Sequence, residues 1–137
     1  MEKGERFYLD TSIWLDFLEK RGENGERAIK LIQEIINNDC IVFYSVMVLQ
    51  ELENLEYSDI EIGDLFSVFK SGNIKIVHID KRQLEEAERI SKERDIPRRD
   101  VFHAILSRDN EAIMVTRDRH FDKLKDIAKS ILPEEVI

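Results

Sequence analysis

The sequence predicts an α/β domain, a three-layer α/β/α sandwich built on a parallel sheet. Three observations carry that expectation. Arg6-Phe7-Tyr8-Leu9 runs apolar and aromatic bulk straight into Asp10-Thr11-Ser12, after which a helical pattern begins. Phe7, Tyr8 and Leu9 have the bulk of a strand covered on both faces. Comparable short apolar runs recur along the chain with amphipathic helical segments between them, the signature of strands joined by helical crossovers.

Taken in order, Asp10, Thr11 and Ser12 are residue types that open helices, because a side-chain oxygen can accept from a free first-turn N–H. Ile13, Trp14, Phe17 and Leu18 then form a short amphipathic stripe. Arg21-Gly22 and Asn24-Gly25 are expected to break it. A second helix carries Ala28, Leu31, Ile32, Ile35 and Ile36 and ends near Asn37-Asn38. Cys40 to Tyr44 reads as a buried strand, with Cys40 an inert buried thiol. Ser45 caps a helix over Val46 to Glu56 whose inward stripe is Val48, Leu49, Leu52 and Leu55. Ser58-x-x-Glu61 is a capping box opening a helix with Ile62, Leu65, Phe66 and Phe69 inside, stopped by Gly72-Asn73. Ile74 to Ile79 is the third strand. Asp80 with Gln83 starts the next helix, bearing Leu84, Ala87 and Ile90. Pro97 suits the first turn of the helix whose core side is Val101, Phe102, Ile105 and Leu106. Ala112 to Val115 is the fourth strand. A short helix through Phe121 and Leu124 leads to a last strand near Ser130 to Leu132. No linker, repeat or low-complexity tract interrupts this, so residues 1–137 are expected to form a single domain.

Composition narrows the function classes. The chain has 137 residues, 42% hydrophobic and 36% charged, enough for a buried core without disulfides, and its one cysteine excludes a cysteine-rich zinc site. No secretory leader or bilayer-length apolar run is visible, so a cytoplasmic, membrane-free protein is expected. A formal charge of −8 argues against broad electrostatic binding of nucleic acid but suits a basic protein partner. There is no Gly-rich phosphate loop and no Ser-His-Asp or Cys-His arrangement for covalent hydrolysis. A phosphatase site of the haloacid-dehalogenase kind needs a second Asp two residues after the first, where this chain has Ser12.

Most of the 29 acidic side chains belong to solvated helix faces. Four do not fit that description well. Asp10 ends the first strand. Glu51 lies at the edge of the apolar stripe of the helix after the second strand. Asp100 stands in the first turn of a helix, flanking its buried side. Asp118 follows the fourth strand across Thr116-Arg117. Three of them therefore succeed the carboxyl ends of strands, the edge where open α/β sheets carry their sites. Gathered carboxylates repel one another and are stable together at neutral pH when they hold a hard cation such as Mg²⁺ or Mn²⁺. Such an ion among acids is apparatus for phosphodiester hydrolysis.

Tyr8-Leu9-Asp10-Thr11-Ser12, Gln50-Glu51-Leu52, Arg99-Asp100-x-x-x-Ala104 and Thr116-Arg117-Asp118-Arg119-His120-Phe121 together resemble the PIN domain, most closely the VapC-type toxin nucleases of toxin–antitoxin pairs. The likeness spans essentially the whole chain. It implies a parallel five-stranded sheet of order 3-2-1-4-5, which sets Asp10 beside Asp118. It implies that Asp10, Glu51, Asp100 and Asp118 are the catalytic, metal-holding quartet for Mg²⁺ or Mn²⁺, with Thr11, Ser12 and Thr116 as supporting hydroxyls. Some members carry a further acid where this chain has His120, here assigned to the rim. Arg98, Arg99, Arg117 and Arg119 surround two of the acids and are expected to hold RNA phosphates. His103 shares a helical face with Asp100 and is expected to be exposed. The implied activity is a metal-dependent endoribonuclease, and the implied partners are RNA, a small antitoxin with a basic tail, and a second copy in a homodimer. The alternatives are a PIN ribonuclease of RNA processing or decay without an antitoxin, and a degenerate, non-catalytic scaffold.

Overall fold

The computed structural model describes residues Met1–Ile137. Five short strands, β1 (Arg6–Leu9), β2 (Ile41–Ser45), β3 (Ile74–Val77), β4 (Ile113–Val115) and β5 (Ser130–Ile131), form one sheet in the order β3-β2-β1-β4-β5. Every neighbouring pair is parallel. Parallel neighbours need long crossovers. Up to β4 these are supplied by α1 (Thr11–Glu19), α2 (Gly22–Asn37), α3 (Val46–Asn54), α4 (Asp59–Phe66), α5 (Lys81–Arg94) and α6 (Arg98–Asp109), and β4 reaches β5 through a 3-10 helix over Arg119–Leu124.

Side chains alternate across a strand, and the sheet uses both of its faces. Phe7 and Leu9 of β1 pack with Trp14, Leu31, Ile35, Val48, Leu52 and Leu65, which places α1 to α4 on one side. Tyr8, between them, belongs to the opposite core with Phe43, Met114, Ala87, Ile90 and Ile105, the layer of α5 and α6. Phe7, Tyr8 and Leu9 are all essentially inaccessible to solvent, as in a central strand covered from both sides. The chain leaves β1 toward β2 and β3, then returns to lay β4 against the other edge of β1. The switch point of the sheet thus lies between β1 and β4. The register pairs Leu9 with Val115, so Asp10 and Thr116 emerge from it side by side.

The caps read from the sequence are present. Ser45 accepts from the Val48 N–H, and Ser58–Glu61 and Asp80–Gln83 close reciprocal capping boxes. Several expectations need correction. Asn24-Gly25 does not break the chain: α2 runs through it, and the turn is made by Lys20 in the left-handed region at φ 53°. Gly25 is required for closeness instead, since a Cβ there would meet the Lys20 backbone at 2.6 Å. Leu55 is 55% exposed because α3 stops one residue before it. Leu84 is 47% exposed because the inward face of α5 is set by Gln83, Ala87 and Ile90, with the Gln83 amide donating to Asp109 at 3.0 Å. Phe69 is buried beyond the end of α4 rather than within it. Pro97 precedes α6 as its cap. The third strand ends at Val77, short of Ile79, and as an edge strand it remains partly exposed.

Candidate active site

Asp10, Glu51, Asp100 and Asp118 line one cleft of about 370 Å³ at the carboxyl edge of the central strands, together with Thr11, Ser12, Arg99 and His103. Asp10 is the deepest, 5% exposed. It caps α1 through the Ile13 N–H, and its carboxylate is held by two hydroxyls. Ser12 Oγ donates to Oδ1 and Thr116 Oγ1 to Oδ2, both at 2.5 Å. Thr116 Oγ1 also accepts from the Asp118 N–H at 3.0 Å, so one threonine ties the end of β1 to the loop after β4. Burial nevertheless dominates and raises the Asp10 carboxyl above the usual range, against the lowering effect of Ser12, Thr116 and the nearby His103. The Thr11 hydroxyl, also buried, has no hydrogen-bond partner.

Glu51 projects from α3 into the same cleft, where α6 meets it. His103 Nε2 lies 3.2 Å from Glu51 Oε1, and Arg99 Nε lies 3.4 Å from the same oxygen. Burial pushes the Glu51 carboxyl upward, but His103, the adjacent Thr11 and Arg99 outweigh it and hold the group below its ordinary value. The expectation of an exposed His103 is overturned: it is 3% exposed, with Nδ1 2.6 Å from the Tyr8 hydroxyl. Sequence reasoning missed it because Val101 through Ser107 are all buried, so α6 has no polar face from which to read an orientation.

Asp100 and Asp118 form the outer part of the cleft with His120. His120 Nδ1 is 3.3 Å from Asp118 Oδ1 and 4.0 Å from Asp100 Oδ2, and one donor atom from each of the three could share a cation. Burial first, and then repulsion from Asp118, raises the Asp100 carboxyl, with His103, His120 and Arg99 acting against them. Oxygen donors this crowded, two of them with raised carboxyls, fit a hard divalent ion rather than a soft one. The Thr11 hydroxyl lines the same cleft beside Glu51.

The four arginines separate. Arg99 faces Glu51, and Arg98 makes an exposed 3.2 Å contact with Glu88. Arg119 is exposed and has no ionic partner. Arg117 turns away from the acids, contacting Asp16 at 3.5 Å and Glu134 at 2.9 Å, which ties the loop bearing Asp118 to α1 and the C-terminal segment.

A doubly wound α/β sheet with an acid-lined cleft at its switch point defines the class. The family follows from the sequence as well: the model of the PIN domain matches residues 7–127, and the chain belongs to that family. Solved structures share its fold. One is the VapBC2 complex from Rickettsia felis bound to a promoter DNA fragment, 16% identical, TM-score 0.68, covering 93% of this chain and 98% of that one. Another is FitAcB from Neisseria gonorrhoeae, 18% identical, TM-score 0.62, with the same two coverages of 93% and 98%. A third is a toxin–antitoxin complex from Klebsiella pneumoniae, 15% identical, TM-score 0.64, covering 92% and 96%. At these identities the likeness is one of fold. No curated protein sequence matches the chain significantly.

Proposed function

We propose that residues 1–137 act as one VapC-type domain, a divalent-metal-dependent endoribonuclease and the toxin of a toxin–antitoxin pair. The observation that carries this reading is the convergence of Asp10, Glu51, Asp100 and Asp118 on one cleft at the switch point of a PIN-family fold. These four would hold Mg²⁺ or Mn²⁺, with His120 within reach at the rim. When bound, such an ion acidifies water and offsets charge developing on the phosphoryl oxygens.

The protein's own residues have distinct tasks in this reading. Ser12 and Thr116 orient the Asp10 carboxylate, each using one hydroxyl hydrogen and leaving lone pairs on both oxygens. Arg98, Arg99 and Arg119, on the exposed margin, hold RNA phosphates on either side of the scissile one. Arg117, committed to Asp16 and Glu134, braces the Asp118 loop. Water attacks phosphorus in line, the P–O3′ bond breaks, and O3′ takes a proton, giving a 3′-hydroxyl and a 5′-phosphate.

An antitoxin with a basic segment suits the acid cleft and the net charge of −8. Leu55 and Ile60, 55% and 77% exposed at the α3–α4 turn, offer apolar surface for that partner or for a second copy in a homodimer. The solved structures of similar fold include three toxin–antitoxin or Vap/Fit complexes, which favours the same assembly here.

The test is cleavage of single-stranded RNA by the purified chain. Activity should need Mg²⁺ or Mn²⁺, vanish in EDTA, and survive a 2′-deoxy substitution at the cleaved position. Asp10→Asn, Glu51→Gln, Asp100→Asn and Asp118→Asn should each reduce the rate by at least about a hundredfold, the scale of losing one contact to reacting charge. Products ending in a 2′,3′-cyclic phosphate, or full activity of Asp10→Asn in EDTA, would overturn the reading.

A further inference from the structure

We infer that His103 is a positioning residue that fixes the rotamer of Glu51 through a buried chain of hydrogen bonds anchored on Tyr8 and Ser45. The inference rests on the reading of Glu51 as one of the site acids.

The chain can be traced atom by atom. The Ser45 and Tyr8 hydroxyls are 2.9 Å apart, Tyr8 Oη is 2.6 Å from His103 Nδ1, and His103 Nε2 is 3.2 Å from Glu51 Oε1. Ser45, Tyr8 and His103 are all buried. An ionised carboxylate can only accept, so Nε2 must carry a hydrogen and donate it. His103 Nδ1 meets the Tyr8 hydroxyl oxygen on the far side of the ring. Tyr8 Oη donates to Ser45 Oγ, the same oxygen that caps α3. Every buried group of the chain thus has a partner, and the Glu51 carboxylate fixes a hydrogen on Nε2.

The elements that carry these groups explain why the arrangement is rigid. Tyr8 lies in the central strand two residues before Asp10. Ser45 caps α3, the helix that bears Glu51. His103 lies on α6 three residues after Asp100, on the same side of that helix. One relay therefore locks α3 against α6 at the point where each delivers an acid. Arg99 also reaches Glu51 Oε1, but its side chain is 62% exposed, so that pair adds little constraint. Both contacts fall on Oε1. His103 thus holds one carboxylate oxygen of an acid that lines the cleft. Outer groups that orient metal-holding carboxylates in this way commonly matter 10- to 100-fold in affinity or rate, by order of magnitude.

The test compares His103→Leu, which keeps bulk without a donor, with His103→Gln, whose amide N–H stands near the Nε2 position, and with Tyr8→Phe. Steady-state RNA cleavage and Mn²⁺ calorimetry are measured on the full chain. His103→Leu should lower kcat and Mn²⁺ affinity about 10- to 100-fold with KM within about twofold, and His103→Gln should recover to within about threefold of wild type. Tyr8→Phe should fall between them. A metal-free readout on the unaltered protein stands whether or not these variants fold: long-range ¹H–¹⁵N spectra should show the His103 ring proton on Nε2. Wild-type kcat and affinity in His103→Leu, equal losses in His103→Gln and His103→Leu, or a ring proton on Nδ1 alone would overturn the inference. Full activity of Glu51→Gln would instead overturn the site reading beneath it, so the two failures are distinguishable.

Discussion

The two walls of the cleft solve the problem of buried negative charge differently. On the helix wall, Glu51 faces the His103 N–H and the Arg99 guanidinium, and its carboxyl is held below the ordinary value. On the strand wall, Asp10 has only neutral hydroxyl and amide donors, and burial raises it. Asp100, at the outer edge, is raised by burial and by Asp118. The protein therefore more than offsets burial at Glu51, whereas burial prevails at Asp10 and Asp100. In the proposed reading a cation would sit on one side of the cleft, and the His103–Glu51 contact braces the other. The contrast separates the task of holding an ion from the task of holding its ligands still.

The largest effect that would sharpen this contrast is the response of stability to metal and pH. Asp10 and Asp100 have folded carboxyls above their unfolded values. They penalise the native state at pH above the folded pKa, and the penalty fades as pH falls through it. Glu51 acts with the opposite sign: its contribution is present above its unfolded pKa and is lost as pH falls through the lower folded one. A divalent ion removes the strand-wall penalty. Mn²⁺ at a hundred times its Kd should stabilise by about 2.7 kcal/mol, on the order of 10 °C in Tm, with a larger shift at pH 8 than at pH 5. Calorimetric scans with and without the ion read this directly, and a shift that ignores pH would break the comparison.

A smaller effect separates the walls by mutation. Without metal at pH 8, Asp10→Asn should leave Tm unchanged or raise it, because it deletes a charge that burial penalises. Glu51→Gln should lower Tm by about 5 °C, since it weakens a charge-assisted hydrogen bond of roughly 1.5–3 kcal/mol. Thermal unfolding of the two variants side by side is sufficient, and equal losses would contradict the division.

Much of the strand wall was legible in the sequence, and little of the helix wall was. The apolar run into Asp10-Thr11-Ser12 announces a strand ending at a helix cap, and those residues are where that pattern puts them. The strand order did not come from periodicity. It came from the resemblance, and the observed β3-β2-β1-β4-β5 sheet agrees with it. His103 could not be read because the run from Val101 to Ser107 is buried throughout and leaves no amphipathic phase. Arg117 looked like a neighbour of the acids by adjacency. Its partners Asp16 and Glu134 lie far away in sequence, and only the tertiary fold reveals them.

That last residue supplies the smallest expected effect. Arg119→Ala should reduce the dependence of RNA affinity on salt by about one phosphate contact, with little change in maximal rate. Arg117→Ala should leave the salt slope nearly intact and lower Tm instead, because it unties the Asp118 loop from α1 and the C-terminal segment. Filter binding across a salt series, paired with thermal unfolding, checks both.

The central claim is that the carboxylates of the cleft act together as one cation site. Isothermal titration of the chain with Mn²⁺ tests it most directly. The account predicts saturable binding by the wild type that Asp10→Asn and Asp118→Asn each largely remove while the fold persists. Equal Mn²⁺ affinity in the wild type and both variants would contradict it.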